Sequence, residues 1–398
     1  MSSSKEWIER ADAHVMKTYG RYPLVAARGQ GCRLWDIDGQ SYLDFLAGVA
    51  VNNLGHCHPK VVAALRHQAE QLLHCSNFYH IPQQIELAEW LCARSFADRV
   101  FFCNSGAEAN EAALKLVRKR SLEAYGAHRF EVVTALDSFH GRTLGAISAT
   151  GQDKVKAGFS PMLPGFTYVP FGDLDALRRA IGPNTCAVML EPVQGEGGVN
   201  VPPPGYLSAV RSLCNDHDLL LVFDEVQVGC GRTGSLWAYE QEGVAPDVMT
   251  LAKALAGGPP IGALLTTDAY ATSLGPGTHG STFGGNPLLC AAALAAMRAI
   301  EEDDILAHCT AMGAYLRTQL DALEQKYDFI SEVRGRGLIL GVELTIDGAE
   351  LVSRAMAKGL LINCTVGKVL RFLPPLIVSR DEIDEAVSIL DSVLASVA

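Results

Sequence analysis

From about residue 100 to 265, six apolar runs alternate with amphipathic stretches: VFFC, EVVTAL, AVMLEPV, LLLVFDE, VMTLA and GALLTT. Each run has strand length and is too continuously apolar for a sheet with one wet face. Strands of this kind separated by helical stretches predict an α/β fold whose mostly parallel sheet is covered on both sides. Two of the runs end on chemistry. Leu219 to Phe223 delivers Asp224 and Glu225 to a strand's C-terminal end, and Val248 to Leu251 leads to Lys253. The acid and the amine are 29 residues apart, about one crossover unit, so neighbouring strands can present both to one crevice.

At 398 residues and 48% hydrophobic, the chain can bury a large core, and its length favours two domains. A formal charge of −11 with no basic block argues against nucleic acid or an anionic membrane as partner. Met1 to Lys17 has no apolar signal core, and the apolar runs are too short to span a bilayer, so a cytoplasmic protein is expected. The 11 cysteines are scattered without a C-x-x-C pair, which argues against a disulfide framework or a zinc knuckle. His56, Cys57 and His58 sit together with no second ligand pair, and no metal is expected.

Residues 1–45 read as a helix followed by a hairpin around RLWDIDGQSYLDF, turning at Asp38-Gly39. The pattern is helical from 59 to 95, broken at Ile81-Pro82, and helical again from 287 to about Tyr327. Short strands follow in RGRGLILGVEL and KVLRFLPPLIVS, with helices near 349–358 and 382–397; Ser379 and Glu382 form a capping box for the last. The early hairpin and the late segment are expected to pair. The predicted architecture is a large domain over 46–300 and a small α+β domain built from 1–45 and 301–398.

Val100 to Cys103 predicts a strand, Asn104 to Ala107 a turn, and Glu108 onward a helix whose last turn carries Arg118, Lys119 and Arg120. Free N–H groups at that N-terminus, the Ser105 hydroxyl and Gly106 can hold a phosphate; a bare strand-to-helix turn is the alternative. Leu219 to Glu225 also has the form of an ATPase Walker B strand. That reading needs G-x-x-x-x-G-K-[ST], and the only Gly-Lys pair, Gly367-Lys368, lacks the first glycine. Gly335, Gly337 and Gly341 are spaced one residue too widely for a dinucleotide turn. Lys253 is either a snorkelling surface residue or a partly desolvated amine, its pKa lowered from about 10.4 toward a neutral nucleophile. In the second case Asp224 has a partner role: a carboxylate beside a pyridine nitrogen keeps it protonated and electron-withdrawing.

Seven motifs run in order across nearly the whole chain: NSGAEANEA at 104–112, SFHGRT at 138–143, EPVQGEGG at 191–198, DEVQ at 224–227, LAKALAGG at 251–258, GSTFGGNP at 280–287 and RFLPPL at 371–376. Together they resemble the class III aminotransferases, which use pyridoxal phosphate. The resemblance implies fold type I of the pyridoxal phosphate transferases, with a mostly parallel seven-stranded sheet in the large domain. It makes Lys253 the covalent anchor and proton carrier and sets Asp224 against the ring nitrogen. Gln227 is placed near the phenolic oxygen, with Glu225 and Val226 beside it, and Phe139 on the ring face. Ser105, Gly106 and Ala107 hold the phosphate, and Thr282 reaches it from the other subunit of a homodimer. Arg142, Ser281, Glu196 and Arg371 are implied as substrate contacts, Glu196 gating Arg371. The implied reaction moves the δ-amino group of N2-acetyl-L-ornithine to 2-oxoglutarate. Ornithine, succinylornithine or succinyldiaminopimelate as donor, or an aminomutase on the same scaffold, are the alternatives.

Overall fold

The computed structural model describes residues 3–397. Near the N-terminus, β1 (Ala26–Gln30), β2 (Arg33–Asp36) and β3 (Ser41–Asp44) form an antiparallel meander. The β2–β3 turn falls at Asp38-Gly39 as expected. Asp36 Oδ1 accepts from the amides of Asp38 and Gln40 at 3.0 and 2.8 Å, and Gly39 takes φ 88°.

The central sheet comprises β4 (Arg99–Cys103), β5 (Glu131–Ala135), β6 (Phe166–Val169), β7 (Thr185–Leu190), β8 (Leu220–Asp224), β9 (Val248–Leu251) and β10 (Gly262–Thr266), in the order β4-β10-β9-β8-β7-β5-β6. Neighbours are parallel except where β10 lies between β9 and β4. Every residue of β7, β8 and β9 is buried, which is why those runs carry no polar alternation. The edge strand β6 escapes the apolar-run reading because FTYV is mostly half-buried. Two further expectations needed correction. The helix after β4 spans Gly106–Tyr125, so Arg118 to Arg120 lie within it rather than at its last turn; it stops at Gly126, φ 90°. The β8–β9 connection carries only the 3₁₀ turn Ala238–Glu242, not an α-helical crossover.

After the long helices Pro287–Glu302 and Ile305–Lys326 come β11 (Ile330–Arg336), β12 (Ile339–Leu344), β13 (Leu360–Leu361), β14 (Asn363–Thr365) and β15 (Val369–Phe372). Four of them make an antiparallel sheet in the order β11-β12-β15-β14. The fifth, β13, pairs in parallel with β3 through Leu360 to Leu43 and Leu361 to Asp44, so the two ends of the chain share a sheet. The final helix, Arg380–Leu394, starts with the Ser379–Glu382 capping box. Among the described residues no helix is long and apolar enough to cross a membrane. The parallel strands end together at Cys103, Ala135, Leu190, Asp224 and Leu251; β10, running the other way, starts there with Gly262 paired to Cys103.

Candidate active site

That carboxyl edge holds a cavity of about 410 Å³. Asp224, the last residue of β8, is 3% exposed and fully engaged: Oδ2 accepts from His140 Nδ1 at 2.8 Å and Asn110 Nδ2 at 2.7 Å, and Oδ1 from the Val226 amide at 3.0 Å. Asn110 sits on the helix after β4. It also donates to the His140 carbonyl at 2.7 Å and accepts from Thr250 Oγ1 on β9 at 2.7 Å. A buried carboxylate with this many donors is fixed in direction. Burial opposes a charge on His140, but the Asp224 hydrogen bond and charge, with Glu191, hold its pKa above the ordinary value.

Lys253 lies two residues beyond β9, in a 3₁₀ turn, with φ 39°; a non-glycine residue held there is strained. Burial is the largest influence on its amine and lowers the pKa, with Arg371 acting in the same direction against Glu196, Asp224 and Glu191. The register that sets Asp224 opposite Thr250 makes β8 and β9 direct neighbours, so acid and amine reach the same cavity.

The helix Gly106–Tyr125 points its N-terminus into the cavity, with Ser105 as its cap accepting from the Glu108 amide at 3.2 Å. The first amides of a helix have no carbonyl partner within it, so those of Gly106 and Ala107 are available to an anion. A Cβ on Gly106 would stand 2.7 Å from Val226 Cγ1, so glycine lets the DEVQ segment close against the helix start. Phe139 is half-buried in the wall, and the Arg142 guanidinium lies 5.4 Å from its ring centre, exposed at the mouth.

Opposite, Arg371 is 1% exposed on β15 and donates through Nη1 to Glu196 Oε1 at 2.9 Å and Gln227 Oε1 at 3.0 Å, and through Nε to Asn363 Oδ1 at 3.2 Å. Burial works against ionisation of Glu196, yet the Arg371 and Lys253 charges overcome it and its pKa is lowered. Glu191 is buried nearby, accepting from the Phe139 amide at 3.1 Å, and burial pushes its pKa up to about 7.

Of the residues expected at the site, Ser105, Gly106, Ala107, Phe139, Arg142, Glu196, Asp224, Val226, Gln227 and Lys253 line this cavity, and Arg371 backs it through Glu196 and Gln227. Glu225 does not line it. Its carboxylate accepts from the amides of Ala238 at 2.7 Å and Tyr239 at 2.8 Å, because alternate residues beyond a strand end face opposite sides. Ser281 and Thr282 also stand outside it within one chain. Ser281 Oγ accepts from Asn104 at 3.1 Å, and Thr282 is exposed on an outward loop. Asn110, His140 and Glu191 were not assigned roles by sequence reasoning; NSGAEANEA, SFHGRT and EPVQGEGG contained all three, but only burial distinguishes them from ordinary polar residues.

The cavity suits pyridoxal phosphate in three respects. It has an anion cradle without a lysine, an aromatic wall at Phe139, and a buried carboxylate facing inward opposite an amine with a lowered pKa. Residues 15–394 match the family described as aminotransferase class-III. The chain is 52% identical over 385 residues to the acetylornithine aminotransferase of Caldanaerobacter subterraneus subsp. tengcongensis, covering 96% of this chain and 98% of that one. It is 51% identical to the acetylornithine aminotransferase of Methanocaldococcus jannaschii, covering 99% of each. Among solved structures, the ornithine aminotransferase of Toxoplasma gondii superposes with a TM-score of 0.96 at 37% identity, covering 100% of this chain and 96% of that one. The acetylornithine aminotransferase of Elizabethkingia anophelis does so with 0.90 at 33%, covering all of both chains. With an acid ending β8, an amine just beyond β9 and a helix N-terminus lining the same cavity, the chain belongs to the class III aminotransferases, enzymes dependent on pyridoxal phosphate.

Proposed function

We propose that this aminotransferase moves the δ-amino group of N2-acetyl-L-ornithine to 2-oxoglutarate, giving N-acetyl-L-glutamate 5-semialdehyde and L-glutamate, a step of arginine biosynthesis in the cytoplasm. The observation that carries the reading is the Arg371–Glu196 pair at 2.9 Å beside Lys253. A donor reacting through a terminal amine brings no carboxylate to this end of the cavity, and Glu196 neutralises Arg371 while it is bound. Glutamate or 2-oxoglutarate places its α-carboxylate there and requires Glu196 to release Arg371, whose planar fork suits bidentate pairing. Arg142, exposed at the mouth, takes the distal carboxylate. The relatives named above, about half identical over nearly the full length, support acetylornithine as donor. The ornithine aminotransferase fold neighbour keeps ornithine as the second reading.

Pyridoxal phosphate, when bound, supplies a pyridinium ring that withdraws electrons from the substrate's amine-bearing carbon. The chain does the rest. Lys253 Nζ, kept toward the neutral form by burial, would carry the proton from that carbon to the cofactor carbon bonded to the same nitrogen. Asp224, held by Asn110, His140 and the Val226 amide, would pair with the ring nitrogen. Gln227 would hold the phenolic oxygen and Phe139 the ring face, both lining the cavity. Residues 46–300 are taken as the cofactor domain, joined by 1–45 and 301–398 as the small one.

The same reading gives a homodimer in which Thr282 completes the partner's phosphate site. What supports it is an apolar patch beside Thr282: Phe78 is 89% exposed, Tyr79 71% and Phe283 60%. The two loops are tied by Asn77 donating to the Ser281 and Gly284 carbonyls at 3.0 Å.

The test is a donor panel against 2-oxoglutarate, comparing kcat/KM for acetylornithine, ornithine, GABA and succinylated amines. Acetylornithine should lead; equal rates for all donors would overturn the substrate assignment. Visible absorbance of the lysine-bound cofactor should be lost in Lys253→Ala, and borohydride trapping of label on that variant would overturn the role of Lys253.

A further inference from the structure

A second cavity, of about 330 Å³, opens at the opposite edge of the central sheet, among the residues that precede β8 and β9. Its volume falls in the roughly 300–1,000 Å³ range of small-molecule sites, and its wall is mostly polar. One ion pair stands in the wall: Arg211 Nη1 lies 2.7 Å from Asp247 Oδ2, which also accepts from the Leu221 amide at 2.7 Å, while Arg211 Nε is buried without a partner. Three other lining side chains have no protein partner among the described residues. Ser121, 4% exposed, has a buried hydroxyl with no hydrogen-bond partner. Arg120, the neighbouring half-buried residue, makes no ion pair or side-chain hydrogen bond among the described residues, although exposed arginines elsewhere find partners. Asp218, exposed on the rim, is held only through its backbone, the amide donating to the Asn215 carbonyl at 3.4 Å and the carbonyl accepting from Arg129 at 2.6 Å; its carboxylate has no partner among the described residues.

A guanidinium and a buried hydroxyl without protein partners, with a carboxylate on the rim of the same cavity, are complementary to a molecule carrying its own carboxylate and ammonium. A buried hydroxyl left without a partner costs free energy that a ligand oxygen would recover. We infer that this cavity is a binding site for a small zwitterionic α-amino acid, its carboxylate on Arg120 and Ser121 and its ammonium on Asp218. The cavity is separate from the aminotransferase site: none of its lining residues lines the cavity of Lys253. It does share supports with that site. The helix Gly106–Tyr125 carries the phosphate cradle at its start and Arg120, Ser121 and Tyr125 near its end. β8 runs from Leu220 in this wall to Asp224 in the other.

Equilibrium dialysis of labelled L-alanine against the cofactor-loaded enzyme tests the assignment, with N-acetyl-L-alanine, which keeps the carboxylate and lacks the ammonium, as second probe. Arg120→Ala should weaken alanine binding at least about tenfold, the loss of a charge-assisted contact, with the aminotransferase KM unchanged. Asp218→Asn should weaken alanine and leave N-acetyl-L-alanine as it was. If Arg120→Ala lowers folded yield, Arg120→Gln keeps the side chain's length and removes its charge, and the same weakening is expected. Wild type that binds no alanine at millimolar concentration, binding unchanged by the Arg120 and Asp218 variants, or equal affinity for the two probes would each overturn it.

Discussion

Asn110→Ala is the sharpest test of how the Asp224 carboxylate is held. The amide of Asn110 makes three buried contacts: to Asp224 Oδ2, to the His140 carbonyl and from the Thr250 hydroxyl, each at 2.7 Å. The contact to the carboxylate is charge-assisted, worth about 1.5–3 kcal/mol, and the neutral ones about 0.5–1.5 kcal/mol each, so the variant should lose about 2.5–6 kcal/mol. Thr250 is fully buried, and water does not readily replace what it loses. Asp224 keeps His140 and the Val226 amide, so the carboxylate remains in place but is less firmly directed. Equilibrium urea unfolding reads the stability, and titration of visible absorbance with pyridoxal phosphate reads affinity, which should fall. Thr250→Val alone should be destabilising, yet should add less than about 0.5 kcal/mol once Asn110 is gone, because both changes remove the same contact. A loss below about 1 kcal/mol in Asn110→Ala, or full additivity with Thr250→Val, refutes the view that this amide couples helix, β8 and β9.

Burial raises Glu225 from 4.5 to about 8, so between those values the folded state holds a proton that the unfolded chain has lost. Its contribution is greatest in acid and is lost as pH rises through about 8, at about 1.4 kcal/mol per unit; Glu225→Gln should flatten urea stability against pH in that window, and parallel curves would refute it. Glu196→Ala leaves Arg371 without its 2.9 Å partner, so kcat/KM for glutamate should rise relative to acetylornithine; an unchanged ratio in steady-state assays would contradict the gating role. Gly313→Ala places a Cβ 2.3 Å from the Gly337 carbonyl oxygen, a backbone clash that should cost about 1–3 kcal/mol in urea unfolding with little effect on KM.

The sequence carried a good part of this arrangement because strand burial and strand ends leave one-dimensional traces. Asp224 and Lys253 could be placed in one crevice since both follow unbroken apolar runs, and such runs are what a strand covered on both faces requires. The strand-to-helix turn at Ser105-Gly106 and the Asp38-Gly39 turn were legible for the same reason, each being a local rule of backbone geometry, although the helix starts at Gly106 under a Ser105 cap rather than at Glu108. The edge strand β6 was not, because a half-buried strand needs no continuous apolar run.

What only the tertiary structure decided was which polar residues lose contact with water. Asn110 sits in a helix, His140 in a loop and Glu191 after a strand, and nothing local separates them from the exposed Asn, His and Glu elsewhere. Packing closes these elements around Asp224, and burial then makes every unmet hydrogen bond costly enough to fix their orientations. Glu225 shows the converse: adjacent to Asp224 in sequence, it is turned away by strand alternation to hold Ala238 and Tyr239. The sequence determined the acid and the amine of this cavity, since Asp224 ends one locally specified strand and Lys253 closely follows another. Their direction, charge and neighbours came from distant segments, because electrostatics in a dry cavity depends on everything within a few ångströms, whatever its place in the chain.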